Sequence, residues 1–340
     1  MKQWLFLLVF LTQVQADAAQ AAPPQTGPRL YVANSAGNDV HIIDPSTNKV
    51  ISRVVVGPQP HGLVATDDGS LIFITIENTA GDEGELLWFD PAQEKVTHRM
   101  KIGPRPNQLA CTPDGAIVYI PCDDASWWVV DTHQSRVIKK IPTGGRPHNT
   151  LCSRDGRFMV LGPKGSYHVL LADTKKHILT GEIPLSDAPR PIALSRDGST
   201  LYANVDTLIG FEIAQISSRK VLHRIEATVP ESKLRIASRS HGIALTPDEK
   251  EVWMCDVYHD RTYVFDVTVS PPRQKDTIVM KGGGYWLCFS PNGDKCYISE
   301  RIGDTVAVID ARTKKVLEHI PVGKGPKRLI YLDVPPTPKK

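Results

Sequence analysis

The chain has 340 residues, 41% of them hydrophobic and 23% charged, with a formal net charge of +3. This is ordinary soluble-globular composition with ample length for a large core. A charge so near neutral leaves no electrostatic footprint for nucleic acid, and no basic stripe with interleaved aromatics is present.

In chain order, the first element reads as a leader. Lys2 supplies a positive start, Trp4 to Leu11 an apolar run, and Val14-Gln15-Ala16 the small residues of a cleavage site. A signal peptide is therefore expected over 1–16, with Asp17 at or near the mature N-terminus. The apolar run is too short to anchor in a bilayer, and no cysteine follows it for lipidation. Residues 17–28 are rich in Ala, Gln and Pro and are read as a flexible tether. The mature chain is expected to be periplasmic or secreted, with no membrane span.

From residue 29 a repeat dominates. Pro60-His-Gly-Leu-Val-Ala-Thr-Asp-Asp-Gly69 is followed by related phrases starting at Pro106, Pro147, Pro189, Ser240 and Gly284, and by a truncated one at Pro326. The spacing runs from 41 to 51 residues, which suits four short strands and their turns. Within each unit a strand ends at an Asp-Gly-type turn, and three more strands with period-two alternation follow. The segment 29–56 supplies a second, third and fourth strand, and 327–333 supplies a lone first strand. Together they make one blade. The expected fold is all-β: a seven-bladed β-propeller over 29–334, of four-stranded antiparallel blades, closed by pairing of the N- and C-terminal strands. Residues 335–340 are read as a disordered tail.

Leu30-Tyr-Val-Ala-Asn34, Val50-Ile-Ser-Arg-Val-Val-Val-Gly-Pro58 and the stretch Thr305–Asp310 with Ile320-Pro-Val-Gly323 resemble the repeat of YVTN or YncE-like propellers. The resemblance covers nearly all of the mature chain and departs most in the fifth blade, 191–226. It implies the fold strongly and the function weakly, because such propellers serve many roles.

Propeller topology places the first strand of each blade along the channel, and the inter-blade connections at its top mouth. The residue opening each channel strand reads His61, Asn107, His148, Arg190, His241, Tyr285 and Lys327. Neighbouring top loops add Asn34, Glu77, Asp123, Asp124, Asp206, Asp256, His259 and Glu300. Histidines from alternate blades are a ligand set suited to Zn, Cu or Fe, so His61, His148 and His241 are metal-ligand candidates. Asn107, Arg190, Tyr285, Lys327, Asp256, His259 and Glu300 are candidates for ligand binding around them. The same imidazoles suit acid–base chemistry, or simply a backbone hydrogen bond to the next blade.

Other signals are weaker. The connection Ala227–Arg239 carries Glu231, Lys233, Arg235 and Arg239 and is a candidate lid, or a solvated insertion. The six cysteines show no C-x-x-C pattern, and there is no nicotinamide, flavin or haem signal. Cys288 and Cys296 flank one turn symmetrically, a candidate cross-strand disulfide. Trp127, Trp128 and Trp286 read as blade packing. Two functions compete: an enzyme using the His-rich mouth on a small molecule, and a non-catalytic module binding a ligand or protein on the top face. A quinone-dependent dehydrogenase is disfavoured, since no vicinal Cys pair is present.

Overall fold

The structure, a computed structural model, describes residues 26–229 and 240–336. The leader, most of the tether, the lid candidate from residue 230 to 239 and the last four residues lie outside these. The described residues contain no helix. They form seven four-stranded antiparallel sheets.

Blade one is composite. Its strands run, from the channel outward, Pro326–Val334, Gly27–Asn34, Asp39–Asp44 and Lys49–Val55. Leu30 pairs with Tyr331 and Tyr31 with Ile330, so the two ends of the chain close the ring in one ladder. Blades two to seven follow in sequence, with channel strands beginning at Pro60, Ala110, Arg146, Pro189, Ser240 and Gly284. The fifth blade, least like the repeat in sequence, keeps all four strands in order.

Burial grades outward as this architecture requires. Second strands such as Ile72–Ile76 are buried on both faces, because each blade packs between two neighbours. Outermost strands alternate, as in Lys49–Val55. The Asp-Gly turns share one construction. Asp68 accepts from Thr66 and Ser70, while Gly69 takes φ 70°, a left-handed conformation that costs glycine nothing.

Glycines after two of the channel histidines permit close packing of neighbouring inner strands. A Cβ at Gly62 would lie 2.8 Å from the Asn107 carbonyl, and one at Gly242 would lie 2.8 Å from the Trp286 Cα. All six cysteines are free. Cys288 stands opposite Tyr297, and Phe289 opposite Cys296. The one-residue offset puts the two thiols on opposite faces of the sheet, so the candidate disulfide does not form.

Candidate functional site

The channel strands start at the top rim, and their first side chains meet there. His61, Asn107, His148, Arg190, His241, Tyr285 and Lys327 all line one cavity of about 300 Å³. A repeated buried hydrogen bond sets their backbone. Thr75 donates to the carbonyl of Asn107, Asn204 to that of His241, and Ser299 to that of Lys327. Each donor sits on the second strand of the preceding blade and is fully buried. The net gain from such a bond is about 1 kcal/mol, but an unpaired buried carbonyl costs more, so the ring position is over-determined.

A second ring completes the wall. Eight residues after the turn glycine of blades two, three, four, five and seven stand Glu77, Asp123, Lys164, Asp206 and Arg301. Glu77, Asp123, Lys164 and Arg301 line the cavity. Asp206 is ion-paired with the cavity residue Arg190. Asn34, Asp256 and Glu300 stand one residue earlier in the same register. Period two turns them away from the cavity, and all three are fully buried. Asp256 receives the backbone N–H groups of Tyr258 and His259, and the His259 ring at 2.8 Å. Glu300 receives the N–H groups of Lys281 and Gly282, the Thr305 hydroxyl and His319. Asp256, His259 and Glu300 therefore brace the top loops rather than line the cavity. Asp124 likewise accepts from the Trp128 indole.

A third set comes from the residue ahead of each repeat's opening proline. Arg105 and Arg146 stand there and line the cavity. Asp123 clamps Arg146 with bonds of 2.6 and 2.9 Å, and lies 3.8 Å from Arg105. The wall thus holds six cationic side chains (Arg105, Arg146, Lys164, Arg190, Arg301 and Lys327) against the carboxylates of Glu77 and Asp123.

Beneath them lies Arg328, only 3% exposed. Its guanidinium stacks on Trp286 at 3.0 Å and donates to Asn149 at 2.7 Å. Trp286 thus acts as a cation platform as well as packing between blades. No carboxylate among the described residues pairs with Arg328. Burial pushes its pKa down, though a guanidinium stays protonated.

The three histidines are neutral and differ in tautomer. His61 Nδ1 is 2.7 Å from Glu77 and 3.5 Å from Lys327. The shorter contact decides: Nδ1–H donates to the carboxylate, leaving a lone pair on Nε2. His241 Nδ1 donates to the Tyr285 carbonyl, again leaving Nε2 bare. His148 is reversed. Arg328 fixes the Asn149 amide so that its NH2 donates to His148 Nδ1, which puts the proton on Nε2. Burial, then Lys327, lowers the His61 pKa to about 4. Burial lowers His148 well below the usual range, with His61 and Arg328 adding to it, and burial lowers His241 likewise, with Arg328 and His148 adding to it. Burial opposes ionisation of Glu77, but His61, Lys327 and Arg105 together bring it down to about 2. Burial drops Lys327 to about 8.

No group of three or more His, Cys, Asp or Glu side chains among the described residues could hold a metal ion. His61, His148 and His241 share the cavity, but a divalent cation would face six cationic neighbours there. The donor set suits an anion.

No known family profile matches the chain, and no curated protein matches it. Solved structures do. A periplasmic gluconolactonase of Pseudomonas aeruginosa superposes with a TM-score of 0.77 at 18% identity, over 91% of this chain and 99% of that one. A functionally unknown protein of Desulfotomaculum acetoxidans gives 0.75 at 13%, over 89% and 98%. Hydrazine synthase of Kuenenia stuttgartiensis gives 0.67 at 21%, over 78% and 87%. At these identities the likeness establishes a seven-bladed propeller fold that enzymes also use. No helix among the described residues is long and apolar enough to cross a membrane.

Proposed function

We propose that this chain is an exported acid–base enzyme that holds a small anionic molecule at the top of its channel and hydrolyses an ester or lactone bond in it. The observation that carries the reading is the His61–Glu77 pair on the wall of a cationic cavity. The carboxylate orients the imidazole and stabilises its protonated form, the division of labour seen in hydrolytic triads. An empty site keeps His61 unprotonated, so its lone pair is free at neutral pH. An entering anion offsets the surrounding cations and raises its basicity.

In the reaction, His61 Nε2 takes a proton from water as the water oxygen bonds to the acyl carbon. The Nε2–H of His148 and the nearby cations stabilise the oxyanion. The acyl–oxygen bond then breaks, the imidazolium of His61 returns the proton to the departing oxygen, and the new carboxylic acid releases its remaining proton to solvent. The product carboxylate stays matched to the cavity charge. The gluconolactonase neighbour and the leader read at 1–16 support lactone chemistry and a periplasmic location. The resemblance of the repeat to YVTN/YncE-like propellers is compatible with both.

The test is a panel of lactones and esters of acidic compounds, followed by pH-stat. His61→Gln and Glu77→Gln should lower kcat at least ~100-fold with little change in KM. Tight anion binding without turnover on any substrate would instead leave a non-catalytic binding propeller, and loss of KM alone in His61→Gln would overturn its role as base.

A further inference from the structure

The proposed function leaves open what kind of anion enters, and the pairing pattern around the cavity narrows it. Asp123 engages Arg146 and Arg105, Asp206 engages Arg190, and Glu77 lies 3.8 Å from Lys327 and 3.6 Å from Arg105. Two wall cations are left over. Lys164 and Arg301 have no carboxylate within ion-pair distance among the described residues, although every other wall cation has one. They occupy the same repeat position, on blades four and seven, and so face each other across the ring.

We infer that the bound molecule carries two carboxylates separated by a short carbon chain, one anchored by Lys164 and the other by Arg301. This rests on the reading of the cavity as an anion site. Two unmatched charges on opposite arcs favour two anionic ends. A phosphate, with both charges on one centre, would call for cations converging at one point. Burial, then the charges of Arg190 and Arg146, oppose protonation of Lys164; Asp206 offsets this only in part and is itself paired with Arg190, so a ligand carboxylate there relieves the rest. Arg301 stands over the Tyr285 ring at 5.4 Å, close to Lys327. The neutral imidazoles line the same cavity. In a lactone that already bears a carboxylate, one anchor would hold that group. The other would receive the carboxylate created by ring opening, which makes the product a dicarboxylate. A cavity of about 300 Å³ admits a backbone of about four to six carbons.

The experiment is calorimetric titration of the exported chain at fixed ionic strength with succinate, glutarate and adipate, with monocarboxylates of matched length, and with inorganic phosphate. The best dicarboxylate should bind at least ~10-fold more tightly than its monocarboxylate counterpart. Lys164→Gln and Arg301→Gln should each remove most of that advantage, and the double variant should lose little more. Arg301→Lys, which keeps the charge, should retain part of it, and melting curves should show all variants folded. Monocarboxylates or phosphate binding as well as dicarboxylates would overturn the two-anchor inference while leaving the anion site intact. Failure of every anion to bind would instead remove the proposed function itself.

Discussion

The two ends of the channel are built from the same seven strands and could hardly differ more. At the top, the opening positions present imidazoles, amides and cations around a polar cavity. A few residues further along, the strands present Leu151, Ile192, Leu194, Ile243, Leu245 and Leu287 to a recess at the bottom, which Arg154, Arg196 and Glu249 also line. Arg328, stacked on Trp286, marks the boundary. Phrase by phrase, the following half of the repeat stays largely apolar, while the opening residue takes five identities over seven phrases. The apolar half makes blades pack, and the variable opening gives the mouth its chemistry.

The strongest way to break this division is to remove a strand that serves both halves. Pro326–Val334 brings Lys327 to the cavity, Arg328 to the boundary, and buried Leu329 and Leu332 to the core. Deleting 326–340 should open the ring. It should cost a large share of the ~5–15 kcal/mol that stabilises a typical domain. Circular dichroism melting would show it, and an unchanged Tm would refute closure by the chain ends.

Acid should separate the two ends next. His61 is 7% exposed, and its pKa falls from 6.5 to about 4 on folding. Between those values the unfolded chain binds more protons, so stability falls as pH drops through this window. For His61 alone the loss is about 3 kcal/mol. Glu77, brought from 4.5 to about 2, extends the loss to lower pH. His61→Gln should flatten the slope between pH 6.5 and 4. A slope unchanged in that variant would mean that the imidazole is not held neutral by its surroundings. Anion binding should conversely take up protons in the same window, detectable as buffer-dependent heats in calorimetry.

Arg328→Met probes the boundary itself. It removes a buried charge that depresses both His148 and His241. Both imidazole pKa values should rise in NMR titration, and carboxylate affinity should fall roughly tenfold, about 1.4 kcal/mol. Unmoved imidazole titrations would show that Arg328 does not govern the mouth.

How much of this was legible in the sequence follows the same division. The blade count, the composite first blade and the seven opening residues of the channel strands could be read because each rests on a period that recurs. The second ring was half legible. Glu77, Asp123 and Asp206 stand out as acidic loop residues, but so do Asp256 and Glu300, one residue earlier in the register. Only the frame counted from the turn glycine separates cavity-facing from blade-facing positions. That frame also exposes Lys164 and Arg301, which motif reading missed because a lone cation at a strand end looks like solvated surface. Arg105 and Arg146 could have been found as the repeated Arg-Pro ahead of the channel strand. Arg328 could not. Its burial depends on Trp286 from the neighbouring blade and Asn149 from across the channel, contacts that no local pattern encodes.

The smallest effect tests whether the lower end matters for binding at all. Leu245 is partly buried at the bottom of blade six, on the same strand as His241. Leu245→Ala removes apolar atoms from a recess already open to solvent, so little new cavity forms. The cost should fall below the 2–5 kcal/mol of a fully buried leucine, near 1 kcal/mol. The strand above it is held independently, since Asn204 grips the His241 carbonyl and the His241 ring stacks on Tyr285 at 3.7 Å between centroids. Carboxylate affinity should therefore stay within about twofold of the parent while Tm drops by a few degrees. A loss of affinity as large as that of Arg328→Met would show that the apolar half tunes the mouth through the strand. The channel would then have to be understood as one unit from rim to rim.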